Sequence, residues 1–243
     1  MKILLSVISP EEATIVSKYQ PDILDIKNPD EGSLGAQFPW IIKDIVRAVK
    51  NTEILCSATL GDLPFKPGTA ALAAFGAINC GVKYIKAGLY GIKTYNEACK
   101  MMDSISKSVR LVSDDAFVVA AGYADYKRFG GLSYMDIVDA AKNTYTDIVM
   151  VDTAIKDGKS LFDAMSINEL REFIEYAHSS GLAVALAGSI KKAHLENLIE
   201  LNPDIIGIRG AVCEYENRGN QIRPEMVEEF LNYVRHLKSK TMA

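Results

Sequence analysis

Short apolar runs rich in Ile, Val and Ala recur along the chain, each closed by a turn signal and followed by a segment whose apolar positions return at helical spacing. There are eight: KILLSVI (2–8), DILDIK (22–27), EILCSAT (53–59), YIKAG (84–88), FVVAAG (117–122), DIVMVD (147–152), LAVALAG (182–188) and DIIGIRG (204–210). The segments between them open on helix-start chemistry. Ser9, Pro10 and Glu12 precede the first helix, Pro39 stands before WIIKDIVRAVK, and Ser166 with Glu169 spells a capping box before LREFIEYAH. A last helix is predicted over 224–240. Ile42, Ile45, Val46 and Val49 make an apolar stripe that packs on a sheet.

Near-continuous apolar strands alternating with amphipathic helices predict a parallel sheet covered on its outer face. Eight such units in 243 residues predict an α/β chain forming one (β/α)8 TIM barrel domain over 1–243. No step in composition and no linker divides it. An open doubly wound sheet is the structural alternative, but no GxGxxG follows the first run. In a barrel the chemistry gathers at the C-terminal strand ends, which confines the search to eight short places.

Composition narrows the classes. Hydrophobic residues make up 49% of the chain, enough for a sizeable core, and the formal charge of -4 comes from 27 basic and 31 acidic residues interspersed, unlike a nucleic-acid footprint. The apolar start MKILLSVISP is too short for a secretory segment, and no run approaches a membrane span, so a cytoplasmic protein without membrane partners is expected. Cys56, Cys80, Cys99 and Cys213 are scattered and read as reduced, buried thiols. His178, His194 and His236 fall in helical stretches with no ligand spacing, so no metal is expected.

The strand ends carry the unusual residues. The second run ends in Asp25 and Lys27, which share one face by the period of two, the fourth places Lys86 at the equivalent position, and the sixth contributes Asp152 with Lys156 in the loop. One strand-end lysine is commonly a snorkelling residue. Two lysines and two aspartates on strands two, four and six are a different matter, because alternate strands project into the same layer. An amine must be neutral to attack a carbonyl, and burial beside another cation lowers its pKa towards that state. The neighbouring carboxylates then hold the amines and move protons. A purely structural pair of buried salt bridges is the weaker reading, because desolvation costs more than such pairs return.

ALAGSI and IRGAVC, ending runs seven and eight, match the barrel phosphate cup, with Gly188, Ser189, Gly210 and Ala211 as contributors and turn geometry as the plain alternative. Arg209 is left open between assisting the anion and facing outward. Gly32 and Ser33, in the loop after Lys27, offer a second anion nest or an ordinary flexible loop. Tyr123, Lys127 and Arg128 lie near the mouth, the charged pair reading as solvated.

The segments LLSVISPEEA, DIKNPDEGSLGA, YIKAGLYG, VMVDTAIKDG and ALAGSI, spread over the whole chain, resemble the (5-formylfuran-3-yl)methyl phosphate synthases of methanofuran biosynthesis. The resemblance implies a lyase that condenses two glyceraldehyde 3-phosphates to 4-(hydroxymethyl)-2-furancarboxaldehyde phosphate, losing phosphate and water without a cofactor. It implies Lys27 as the Schiff-base lysine and Lys86 as the proton carrier. Asp25, Lys27 and Asp30 also spell the DxKxxD of the orotidine monophosphate decarboxylase superfamily, but that motif closes the third strand there and the second here. A general imine-forming aldolase on phosphorylated sugars and a non-catalytic barrel binding a phosphometabolite are the other readings. Self-association through helix faces, giving a homo-oligomer, is expected of such barrels.

Overall fold

A computed structural model describes residues 1–241. Its strands are β1 (Lys2–Val7), β2 (Ile23–Ile26), β3 (Leu55–Pro64), β4 (Tyr84–Gly91), β5 (Phe117–Tyr123), β6 (Ile148–Asp152), β7 (Ala183–Leu186) and β8 (Ile205–Ile208). They pair in sequence order, all parallel, and β1 closes on β8, so the eight-stranded barrel is a (β/α)8 fold. The helices are α1 (Pro10–Ser17), α2 (Pro39–Ala48), α3 (Pro67–Ile78), α4 (Tyr95–Arg110), α5 (Tyr134–Lys142), α6 (Leu161–Ala164), α7 (Ile167–Ser179), α8 (Leu195–Leu201) and α9 (Pro224–Thr241). Among the described residues none is long and apolar enough to cross a membrane.

The start signals act as local chemistry requires. Ser9 accepts from the Glu12 amide ahead of α1, and Ser166 and Glu169 form the reciprocal box ahead of α7. One short helix exceeds the eight expected: Ser160 and Asp163 cap α6 inside the connection after β6. Strands β3 and β4 run past their predicted ends because each continues the other's ladder to Pro64 and Gly91, through register shifts. Cys99 is only half-buried, unlike the other three thiols, because it lies on α4 and packs at the margin of the outer core.

Two apolar clusters follow from the period of two. Outward residues such as Leu5, Leu24, Ile26, Ile85 and Val149 meet the helices. Inward ones, including Leu4, Ile23, Tyr84, Val119, Ile148, Met150 and Ile205, fill the barrel. Asp25 and Lys27 continue the inward face of Ile23, Lys86 that of Tyr84, and Asp152 that of Met150. At the opposite end of the barrel Asp22, Asp147 and Asp204, each just before an even-numbered strand, accept the amides of Ile3, Val118 and Val184 at 2.7, 2.7 and 2.8 Å. These bonds stitch each of those strands to the odd-numbered one before it.

Candidate active site

Above the C-terminal strand ends opens a cavity of about 280 Å³, lined from β1, β2, β4, β6 and β8 and from the loops after β2, β6, β7 and β8. Ala187 and Gly207 provide the room. A side chain on Gly207 would come within 3.1 Å of Ala187, so both strands must stay small here for the space to exist. Six basic side chains line the cavity against three acidic ones, a surplus that suits anionic substrates.

Its floor is an ion pair. Lys86 Nζ donates to both oxygens of Asp25, at 2.8 and 2.7 Å, with the lysine 1% and the aspartate 0% exposed. Ser6 from β1 and Ser57 from β3 donate to the same carboxylate at 3.1 and 2.9 Å, so both oxygens are satisfied from three strands. Burial by itself would raise the Asp25 pKa, but Lys86, Lys27 and these hydrogen bonds outweigh it and hold the group below its ordinary value.

Lys27 sits beside this pair at 7% exposure, and among the described residues its amine has neither a hydrogen-bond nor an ion-pair partner. Burial pushes its pKa down from the ordinary lysine value to about 7. Asp25 and Asp152 oppose the shift, while Lys86 and Arg218 add repulsion. An amine held there is about half neutral at pH 7, which is the state a nucleophile needs.

Asp152 pairs instead with Lys156, whose Nζ donates to Oδ1 at 2.9 Å and to Thr153 Oγ1 at 3.0 Å. Burial works to raise this carboxyl too, yet Lys156, Lys27 and Lys86 hold it at about 2. The loop bearing Lys156 is anchored from beneath, because buried Asp125 accepts the amides of Ala154 and Ile155 at 2.7 and 2.9 Å. The five residues Asp25, Lys27, Lys86, Asp152 and Lys156 thus line one cavity.

Gly188, Ser189, Gly210 and Ala211 line it as well. Gly188 has φ +113°, and a Cβ there would lie 2.9 Å from Thr153, so this turn requires glycine; Ser189 follows at φ +46°. Gly32 and Ser33 do not reach the lining. Ser33 is buried and donates its hydroxyl to the Thr153 carbonyl at 2.9 Å, which ties the β2 loop to the β6 loop rather than opening an anion nest.

The structure decides the residue left open. Arg209 is buried, and its guanidinium is spent on Glu12 at 2.8 and 3.1 Å, the Ser6 carbonyl at 3.0 Å and the Arg218 carbonyl at 2.8 Å. Tyr123 donates its hydroxyl to Asp62 at the end of β3, a contact that Gly88 permits by having no Cβ. Arg128 pairs with Asp157 at 2.7 Å, and Lys127 is exposed over the Tyr126 ring.

Ser6 and Ser57, which hold Asp25, and Arg218, which lines the cavity, are site residues that sequence reasoning passes over. The two serines were findable, since the inward face carries one polar residue in LLSVI, Ser6, and two in LCSAT, Ser57 and Thr59. Arg218, in the polar loop ENRGN, carries no periodic signal.

The sequence pattern of the 4-HFC-P synthase family matches residues 3–231. The chain belongs to that family. A family member from Methanobrevibacter smithii, named (5-formylfuran-3-yl)methyl phosphate synthase, is 51% identical over 213 residues, 88% of this chain and 90% of that one. Proteins of the same name from Archaeoglobus fulgidus and Methanocaldococcus jannaschii are each 49% identical, covering 96% and 94% of this chain and 99% and 97% of theirs. Among solved structures, 3-hexulose-6-phosphate synthase from Salmonella typhimurium superposes with a TM-score of 0.63 over 96% of this chain and all of its own, at 15% identity. That likeness is one of fold, shared with the thiamine phosphate pyrophosphorylase of Pyrococcus furiosus at a TM-score of 0.61, 13% identity and coverages of 97% and 95%. The furan phosphate synthases are enzymes, and the cavity described above lies where barrel enzymes work.

Proposed function

We propose that the chain condenses two molecules of glyceraldehyde 3-phosphate to (5-formylfuran-3-yl)methyl phosphate, as a lyase of methanofuran biosynthesis working through an imine on Lys27. One phosphate and two waters leave overall. The observation that carries the reading is the Lys27 amine: buried, open to the cavity, unpaired, and lowered to about 7.

The neutral amine adds to the aldehyde carbon of one triose phosphate, and loss of water gives the imine. Once protonated, the imine draws electrons from the neighbouring carbon and acidifies its proton. Lys86 moves that proton, with Asp25 bearing the balancing charge, as their paired geometry allows. The electrons returned by the enamine expel phosphate from the next carbon, and Lys156, 2.9 Å from Asp152, faces the departing group. The three-carbon fragment joins the second triose phosphate, the ring closes through oxygen with loss of two waters, and hydrolysis of the imine restores Lys27. The cup at Gly188, Ser189, Gly210 and Ala211 holds a phosphate during these steps.

Borohydride added with glyceraldehyde 3-phosphate is expected to increase the mass of the peptide containing Lys27, while ultraviolet absorbance and free phosphate rise together in its absence. Label on another lysine, or turnover retained by Lys27→Ala, refutes the assignment. A product without furan absorbance moves the function to a general aldolase.

A further inference from the structure

Three cations in the cavity take no part in the steps above: Lys191 pairs with Glu216 at 3.6 Å, Arg209 with Glu12 at 2.8 Å, and the third is Arg218. It lies half-buried in the loop between β8 and α9, and among the described residues no carboxylate pairs with it. One Nη2 proton reaches the Gly32 carbonyl at 3.3 Å, so the guanidinium spans the mouth from the β8 side to the β2 loop. The backbone is set to place it there. Tyr215 and Glu216 hold φ of +55° and +52°, a costly left-handed pair for residues with side chains, and buried Arg209 fixes the Arg218 carbonyl at 2.8 Å. The Arg218 amide meanwhile lies close to Gly210, where a Cβ would stand 3.7 Å from it.

Two anionic substrates must share this space, and the cup serves one phosphate. We propose that Arg218 binds the phosphate of the second triose phosphate, in a subsite over Lys27 and across the mouth from the cup. The inference rests on the two-substrate reading given above. A guanidinium suits the task because its planar fork makes paired, charge-assisted hydrogen bonds to phosphate oxygens. Its unpaired state inside a cavity already rich in cations costs stability, and only an anionic ligand relieves that cost. Holding the second phosphate here leaves that triose's carbon chain above the Lys27 adduct, where the new carbon–carbon bond forms.

Arg218→Gln and Arg218→Lys test the assignment, because the glutamine keeps an amide donor for the Gly32 carbonyl and loses the charge. Furan formation at subsaturating glyceraldehyde 3-phosphate is expected to fall about 100-fold in Arg218→Gln, mostly through KM, the size of a lost charged hydrogen-bond pair. Arg218→Lys should recover about tenfold of it. Borohydride trapping of the first substrate on Lys27, run near pH 9 so that the amine is neutral in every variant, should stay within about threefold of wild type. Wild-type furan formation in Arg218→Gln overturns the inference, and so does a loss of trapping that parallels the loss of furan. Failure of the wild-type protein to trap the substrate or to make furan sinks the two-substrate reading itself, whatever Arg218 does.

Discussion

Two buried lysines stand in one barrel mouth and differ in their company. Lys86 is neutralised by Asp25, whereas Lys27 has carboxylates near it and none in contact, so desolvation dominates its titration. The rate of borohydride-trapped adduct formation is therefore expected to rise through about pH 7 and level off above it. An inflection near the free-lysine value of about 10.4 contradicts the assignment. The linkage has a definite sign. Since the folded pKa lies below the unfolded one, the unfolded chain binds the extra proton between them, and stability increases with pH from about 7 upward. Lys27→Met should abolish trapping, flatten that slope and raise the thermal midpoint at neutral pH. Sequence alone placed Asp25, Lys27, Lys86 and Asp152 on inward faces at strand ends, because side chains in strands alternate strictly. Which amine takes which carboxylate was not legible, since that depends on how far the strands are sheared against one another.

The same residue type does different work at the two ends of the strands. Asp22, Asp147 and Asp204 accept backbone amides at the closed end, whereas Asp125 accepts two at the mouth and holds the Lys156 loop. Asp22→Ala should lower stability by about 1–2 kcal/mol and leave kcat intact. Asp125→Ala, with a similar stability loss, should also lower kcat because Lys156 loses its position. Paired thermal melts and steady-state rates check this, and equal kcat values in the two variants would count against a positioning role for Asp125. The strands and most helices were legible from periodicity and caps. Helix α6 and the extra length of β3 and β4 were not, because one short helix depends on its own cap alone and the added ladder depends on the neighbouring strand.

Closure of the barrel brings the first and last βα units together, and Glu12 and Arg209 fasten that seam. Glu12 accepts the Ile8 amide at 2.9 Å and both Arg209 contacts, while Arg209 carries the Ser6 and Arg218 carbonyls across the mouth. Arg209→Met strands a mostly buried carboxylate and should cost about 3 kcal/mol in urea or thermal unfolding. Arg209→Lys should recover only part, because an ammonium cannot reproduce the fork. An unchanged midpoint in Arg209→Met would show the clasp to be dispensable. The sequence by itself determined the alternating units, the barrel class and the inward set of lysines and aspartates, since all of these follow from local periodicity and from the direction a strand side chain must take. Only the tertiary structure decided that Arg209 is a clasp and Arg218 a cavity residue, that Ser33 bonds to the β6 loop, and that among the described residues the Lys27 amine has no partner. Those outcomes depend on contacts between residues as much as 203 positions apart, such as Arg209 and Ser6, whose meeting is set by closure of the ring and not by any local pattern.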